Sequence, residues 1–124
     1  MAELPVLVVD AANVVGSVPD GWWRDRAGAT ARLRDGLVEV AACGVPEWTD
    51  GPVAVVLVVE GRARSVTAVD DVAVIAAEGS GDDAIVEYVR SLGGRRCAVV
   101  TADRELRERV RALGAEVLGP RSVR

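Results

Sequence analysis

A chain of 124 residues, half of them apolar, is long enough to bury one core as a single domain spanning 1–124. It has no Phe, His or Lys, two Cys, and a formal charge of −4 carried against fifteen Arg. Those absences exclude His-dependent zinc sites, Ser–His and Cys–His nucleophile pairs, Schiff bases and a P-loop lysine, leaving catalysis to carboxylates, hydroxyls, Arg or a bound ion.

The first predicted element is a strand over Pro5 to Val9 that runs into Asp10, with Asn13 three residues on. Nothing basic precedes an apolar stretch at Met1–Pro5, so no signal peptide is expected and the cytoplasm is the expected location. A helix is predicted from about Asp20, as its cap, to Ala42, where Gly44 and Pro46 stop it; Gly28 and Gly36 weaken its continuity. Trp22 and Trp23 at its start either staple the helix to the sheet or offer rings for stacking on bases, with Arg24 and Arg26 beside them.

A second strand spans Val53 to Val59 and ends at Glu60. The polar stretch Gly61 to Asp70 is predicted as a loop at the sheet edge carrying Arg62 and Arg64. Another strand follows over Val72 to Ala76. A helix then opens at Gly81-Asp82-Asp83, sets Ile85, Tyr88, Val89 and Leu92 on one face, and stops at Gly93-Gly94. Asp82 falls on the core-facing side, and Asp83 on an exposed side suited to capping. The strand Cys97 to Val100 leads through Thr101 to Asp103, which opens a helix aligning Leu106, Val110 and Leu113; Arg104 and Arg107 lie in its opening turns. Glu116 to Leu118 is a short last strand, and the tail 119–124 is expected to fray. Cys43 and Cys97 are expected to be reduced and buried. No apolar run reaches the roughly 18–20 residues that span a bilayer, so no membrane association is expected.

Continuous apolar strands alternating with helices predict an α/β fold, a three-layer α/β/α sandwich around a mainly parallel, Rossmann-like sheet. In such a sheet the strands' carboxyl ends share an edge, where ligands bind. Asp10, Glu60, Asp82 and Asp103 all fall at that predicted edge, each also explicable as a cap or a solvated strand end. Two like charges at about 4 Å repel by roughly 4 kcal/mol at an effective dielectric near 20, so gathered acids take up protons or recruit a cation. Oxygen ligands without His or Cys suit Mg²⁺ or Mn²⁺.

The segments Val8-Val9-Asp10-Ala11-Ala12-Asn13-Val14-Val15-Gly16, Gly81-Asp82-Asp83-Ala84-Ile85 and Val99-Val100-Thr101-Ala102-Asp103, with Leu113-Gly114-Ala115-Glu116-Val117, resemble the NYN/YacP-type branch of the PIN-like ribonucleases over nearly the whole chain. The resemblance implies a PIN-like fold and a Mg²⁺- or Mn²⁺-dependent site for RNA cleavage. By motif position Asp10, Asp82 and Asp103 would bind metal, Asn13 and Thr101 would support them, and Glu60 would be a fourth acid. Arg24, Arg62, Arg64 and Arg104 are the candidate RNA contacts. RNA is the implied partner, with a protein partner, antitoxin-like or ribosome-associated, beside it. The alternative is an inactive PIN-like module that binds RNA or protein, for which the acidic balance and lack of Lys speak. A nucleotide-handling enzyme on another doubly wound fold is weaker, because no G-x-G-x-x-G or Walker-type loop follows the first strand.

Overall fold

A computed structural model describes residues 3–124; Met1 and Ala2, the start of the segment read for a leader, lie outside the described residues. Among the described residues seven strands form: β1 (Val6–Asp10), β2 (Gly44–Val45), β3 (Thr49–Asp50), β4 (Ala54–Val59), β5 (Val72–Ala76), β6 (Cys97–Val100) and β7 (Glu116–Leu118). Four α-helices accompany them: α1 (Ala11–Gly16), α2 (Arg26–Cys43), α3 (Gly81–Ser91) and α4 (Arg104–Arg111). Five strands make one parallel sheet in the order β5-β4-β1-β6-β7, and β2 and β3 form a separate antiparallel pair.

Strand β1 is central because both its edges are paired, Val8 lying between Val56 of β4 and Val99 of β6. Its side chains alternate between two cores. Leu7 and Val9 pack with Val14, Leu33, Leu37 and Leu57 beneath α1 and α2. Val6 and Val8 pack with Val58, Ile85, Val89, Leu106 and Val110 beneath α3 and α4. With helices on both faces, the inner strands β1, β4 and β6 need apolar residues at nearly every position, which explains their unbroken runs of Val and Leu. Among the described residues no helix is long and apolar enough to cross a membrane.

The strand order reverses between β1 and β6: the chain builds outward from β1 through β4 and β5, then crosses back to add β6 and β7. The crevice at that reversal, outside the strands' carboxyl ends, is where this architecture places a ligand.

Five local features differ from expectation. The residues after Asp10 form the short helix α1, capped by Asp10 itself, which accepts from the Asn13 amide at 3.3 Å. Helix α2 begins at Arg26, with Asp25 rather than Asp20 as its cap; the Gly28 amide donates to Asp25 Oδ1 at 2.9 Å, and the helix runs unbroken through Gly36. The segment Gly61–Ser65 is a 3-10 turn rather than an open loop. The tail is tied down: Pro120–Ser122 form a 3-10 turn, and Arg124 donates to the carbonyls of Val14 and Val15 at 3.0 Å each. Both cysteines are free, as expected, but only Cys97 is buried; Cys43 is exposed, contrary to expectation, because it ends α2 at the surface.

Gly44 ends α2 at φ +81° and ψ −168°, a region open essentially to glycine alone. A Cβ there would sit 2.3 Å from the Thr49 carbonyl oxygen and 2.5 Å from that of Gly51. Gly44→Ala is therefore expected to destabilise the fold by on the order of 3 kcal/mol, read as a lower urea midpoint at unchanged slope.

Candidate functional site

The acids gather at the carboxyl edge because each closes a strand or opens a helix there. Asp10 ends β1 and is 4% exposed. A carboxylate buried this far needs partners. Its Oδ2 accepts from the Thr101 hydroxyl at 2.9 Å and its Oδ1 from the Asn13 amide. Thr101, fully buried just past β6, also accepts from the Asp103 amide at 3.1 Å. The Asn13 side-chain carbonyl accepts from the Ala102 amide at 2.8 Å, so two links stitch β1 to β6 across the strand-order reversal.

Asp103 caps α4, accepting from the Leu106 amide at 2.9 Å. Asp82 lies half-buried in the first turn of α3, whose cap is Ser80. Glu60, one residue past β4, accepts from the Gly81 amide through Oε2 at 2.7 Å and so holds the start of α3 against the sheet edge. A Cβ on residue 81 would lie 3.2 Å from the Glu60 carboxyl carbon, so glycine at that position lets the helix approach the acid.

These groups share one field. Burial pushes the Asp10 carboxyl up to about 6, with Asp82 and Glu60 adding to the rise and the Thr101 and Asn13 hydrogen bonds opposing it. Burial also raises Asp82, reinforced by Asp103, Glu60 and Asp83 and moderated by Arg109. Among the described residues no three acidic or cysteine side chains are grouped tightly enough to hold a metal ion by themselves.

Asp83 is exposed but does not cap α3: Ser80 is the cap, accepting from the Asp83 amide, and the Asp83 carboxylate pairs with Arg109 Nη2 of α4 at 3.0 Å. Arg24, Arg62, Arg64 and Arg104 are exposed and take part in none of the ion pairs of the described residues. Arg62 and Arg64 lie in the 3-10 turn that follows Glu60, and Arg104 follows Asp103, so these three flank the acidic edge; Arg24 closes the 3-10 turn Trp22–Arg24. Trp22 is half-buried, packing on the core while also lining a cavity beside Glu60, whereas Trp23 is 52% exposed, edge-on to Trp22 at 5.8 Å.

Two contributors were not picked out from the sequence for these roles. Arg107 donates from Nε to the Thr101 carbonyl at 2.7 Å, fixing the turn that presents the hydroxyl to Asp10; its i+4 spacing from Asp103 was the available signal. Arg109 reaches the acids only through the packing of α4 on α3, for which linear sequence carries no signal.

Thr101→Val keeps the shape and removes the hydroxyl. It is expected to cost about 2 kcal/mol at pH 7.5, where the Asp10 carboxylate loses a charge-assisted hydrogen bond. The loss is expected to shrink at pH 5, where Asp10 is protonated in the folded protein. Urea titrations at the two pH values check this.

No protein-family model and no curated protein matches the chain. Among solved structures it superposes on Rae1 (YacP) from Bacillus subtilis with a TM-score of 0.72 at 17% identity, covering 96% of this chain and 71% of that one. A Trp-to-Leu mutant of the same protein gives a TM-score of 0.70, also at 17% identity, over 97% and 72%. At that identity the likeness establishes a YacP-like fold.

Proposed function

We propose that this chain is a metal-dependent ribonuclease that hydrolyses phosphodiester bonds of RNA at the edge formed by Asp10, Asp82 and Asp103. The observation that carries the reading is Asp10: a carboxylate buried at the strand-order reversal, with other acids close enough to oppose its ionisation. An isolated cap would sit in solvent, where it costs little. A cap held in a shared negative field is more economically explained by a cation that balances the field. The motif resemblance and the YacP-like fold point the same way.

The donor chemistry fits Mg²⁺ or Mn²⁺, being carboxylates with a hydroxyl and an amide and no nitrogen or sulfur ligand. Because no three acids are grouped tightly among the described residues, the ion would keep part of its water, as Mg²⁺ does when one or two carboxylates bind it. Asp10, Asp82 and Asp103 would hold it. Asn13 and Thr101 would keep Asp10 oriented, and Glu60 would serve mainly to fix α3. The cation, when bound, supplies neutralisation of the phosphodiester charge and acidification of water. Arg62, Arg64 and Arg104 supply positive charge to phosphates along the rim, with Arg24 farther round, which offsets locally the net charge of −4.

One observation favours the alternative, a PIN-like module that binds RNA or protein without cleaving. Asp10, Asp103 and Glu60 are each already hydrogen-bonded within the chain. Incubation of the purified protein with end-labelled single-stranded RNA separates the two. The nuclease reading expects cleavage in Mn²⁺ that EDTA stops; intact RNA from a folded protein would leave the binding module.

A further inference from the structure

Beside the acids lies a cavity of about 250 Å³, bordered by Ala12 and Val15 of α1, Trp22, Arg26 and Thr30 of the α2 entry, and Glu60. It is smaller than the roughly 300–1,000 Å³ of sites for drug-sized ligands, a size suited to one nucleobase rather than a whole nucleotide. Its walls are mixed in the way a base requires. Trp22 offers an aromatic surface, with the Arg26 guanidinium 5.2 Å from the ring centroid. Ala12 and Val15 are small and apolar. Glu60 borders both the cavity and the acidic edge: Oε2 is held by the Gly81 amide, and Oε1 has no hydrogen-bond partner among the described residues. The hydroxyl of Thr30, 3% exposed, donates to the Arg26 carbonyl at 2.8 Å and keeps its lone pairs for accepting.

We propose that this cavity takes a guanine base of the RNA strand whose phosphate lies at the acids, a specificity that rests on the ribonuclease reading. Guanine presents N1–H and an amino group along one edge, which a carboxylate accepts, and O6 and N7 acceptors along the other, which a guanidinium serves. Glu60 and Arg26 are that pair, and Trp22 supplies the stacking surface. Adenine would set its N1 lone pair against the carboxylate, and a pyrimidine would leave the cavity underfilled.

The test uses fluorescein-labelled six-nucleotide RNAs in EDTA, U₆ and the same chain with one central G or A, read by anisotropy, with GMP as competitor. Stacking and edge recognition together are expected to favour the G-containing RNA on the order of tenfold over the A-containing one. Ala12→Leu, which fills the cavity from an exposed helical position and leaves every acid in the chain, is expected to abolish the preference. Glu60→Gln, which still accepts from the Gly81 amide, is expected to reduce it severalfold. Equal affinity for G- and A-containing RNA, or a preference untouched by Ala12→Leu, overturns the assignment. GMP binding as tightly as the RNA also overturns it, in favour of a free-nucleotide site. If the preference is absent while Mn²⁺-dependent cleavage persists, only the base pocket fails. If neither binding nor cleavage is seen, the ribonuclease reading fails with it.

Discussion

Asp10→Asn is expected to abolish Mn²⁺-stimulated RNA cleavage while leaving a folded protein that, in metal-free buffer above pH 6, is more stable than the parent. The stability half follows from the burial of the charge. The Asp10 carboxyl is raised from 3.8 to about 6 in the folded chain, chiefly by burial, then by Asp82 and Glu60. Between about pH 4 and 6 the folded chain retains a proton that the unfolded chain has released, so stability falls as pH rises through that window. The penalty is absent below it and complete above it, on the order of 3 kcal/mol.

Asn carries no charge and removes the penalty. It accepts through one oxygen only, so the net gain is expected at about 1–2 kcal/mol at pH 7.5, with the downward slope between pH 4 and 6 flattened. The activity half follows from the proposed cation: loss of the central carboxylate is expected to reduce cleavage on the order of 10³-fold or more. A variant that is more stable and inactive separates function from folding, because a merely structural Asp10 would give loss of both. Urea titrations across pH 4–8 and a cleavage time course measure the two halves. A variant that cleaves RNA normally would exclude Asp10 from the chemistry.

Mn²⁺ is expected to reverse the same penalty in the parent. A ligand that binds only the folded state stabilises it by RT ln(1 + [L]/Kd), about 2.7 kcal/mol at a hundred times Kd. In a domain of this size that raises Tm by about ten degrees. The increase should depend on Mn²⁺ concentration, be reversed by EDTA, and be much reduced in Asp10→Asn, Asp82→Asn and Asp103→Asn. Because these groups share one field, their effects are expected to be less than additive in double variants. The non-catalytic module makes the opposite prediction: no Mn²⁺ shift, and RNA or partner binding that tolerates neutralising the acids. Differential scanning fluorimetry at pH 7.5 distinguishes them.

Strands β1, β4 and β6 were legible in the sequence because strands covered on both faces must be apolar throughout, whereas the partly exposed edge strands β5 and β7 were legible only as short apolar stretches between helices. Helices α3 and α4 were legible for a related reason, since their apolar residues recur at helical spacing and glycines end them. Helix α1 was not legible: six residues carry too little periodicity, and its cap, Asp10, reads equally as a strand end. The start of α2 slipped from Asp20 to Asp25 because both are acids ahead of plausible helix, and only the Gly28 amide decides between them. The tail looked frayed because Arg124 is held by carbonyls 109 and 110 residues away.

For the site, sequence alone determined which acids stand where strands end and helices begin, because that placement is local. It could not decide how they are used. The burial of Asp10 comes from pairing on both edges of β1, and the Thr101 bond spans 91 residues. The grip of Glu60 on Gly81 and the reach of Arg109 to Asp83 arise from how α3 and α4 pack, and the cavity from how α1 meets the α2 entry. Local chemistry could place each carboxylate, but a carboxylate's charge state and partners depend on groups brought near it through space, and those are decided by the tertiary fold.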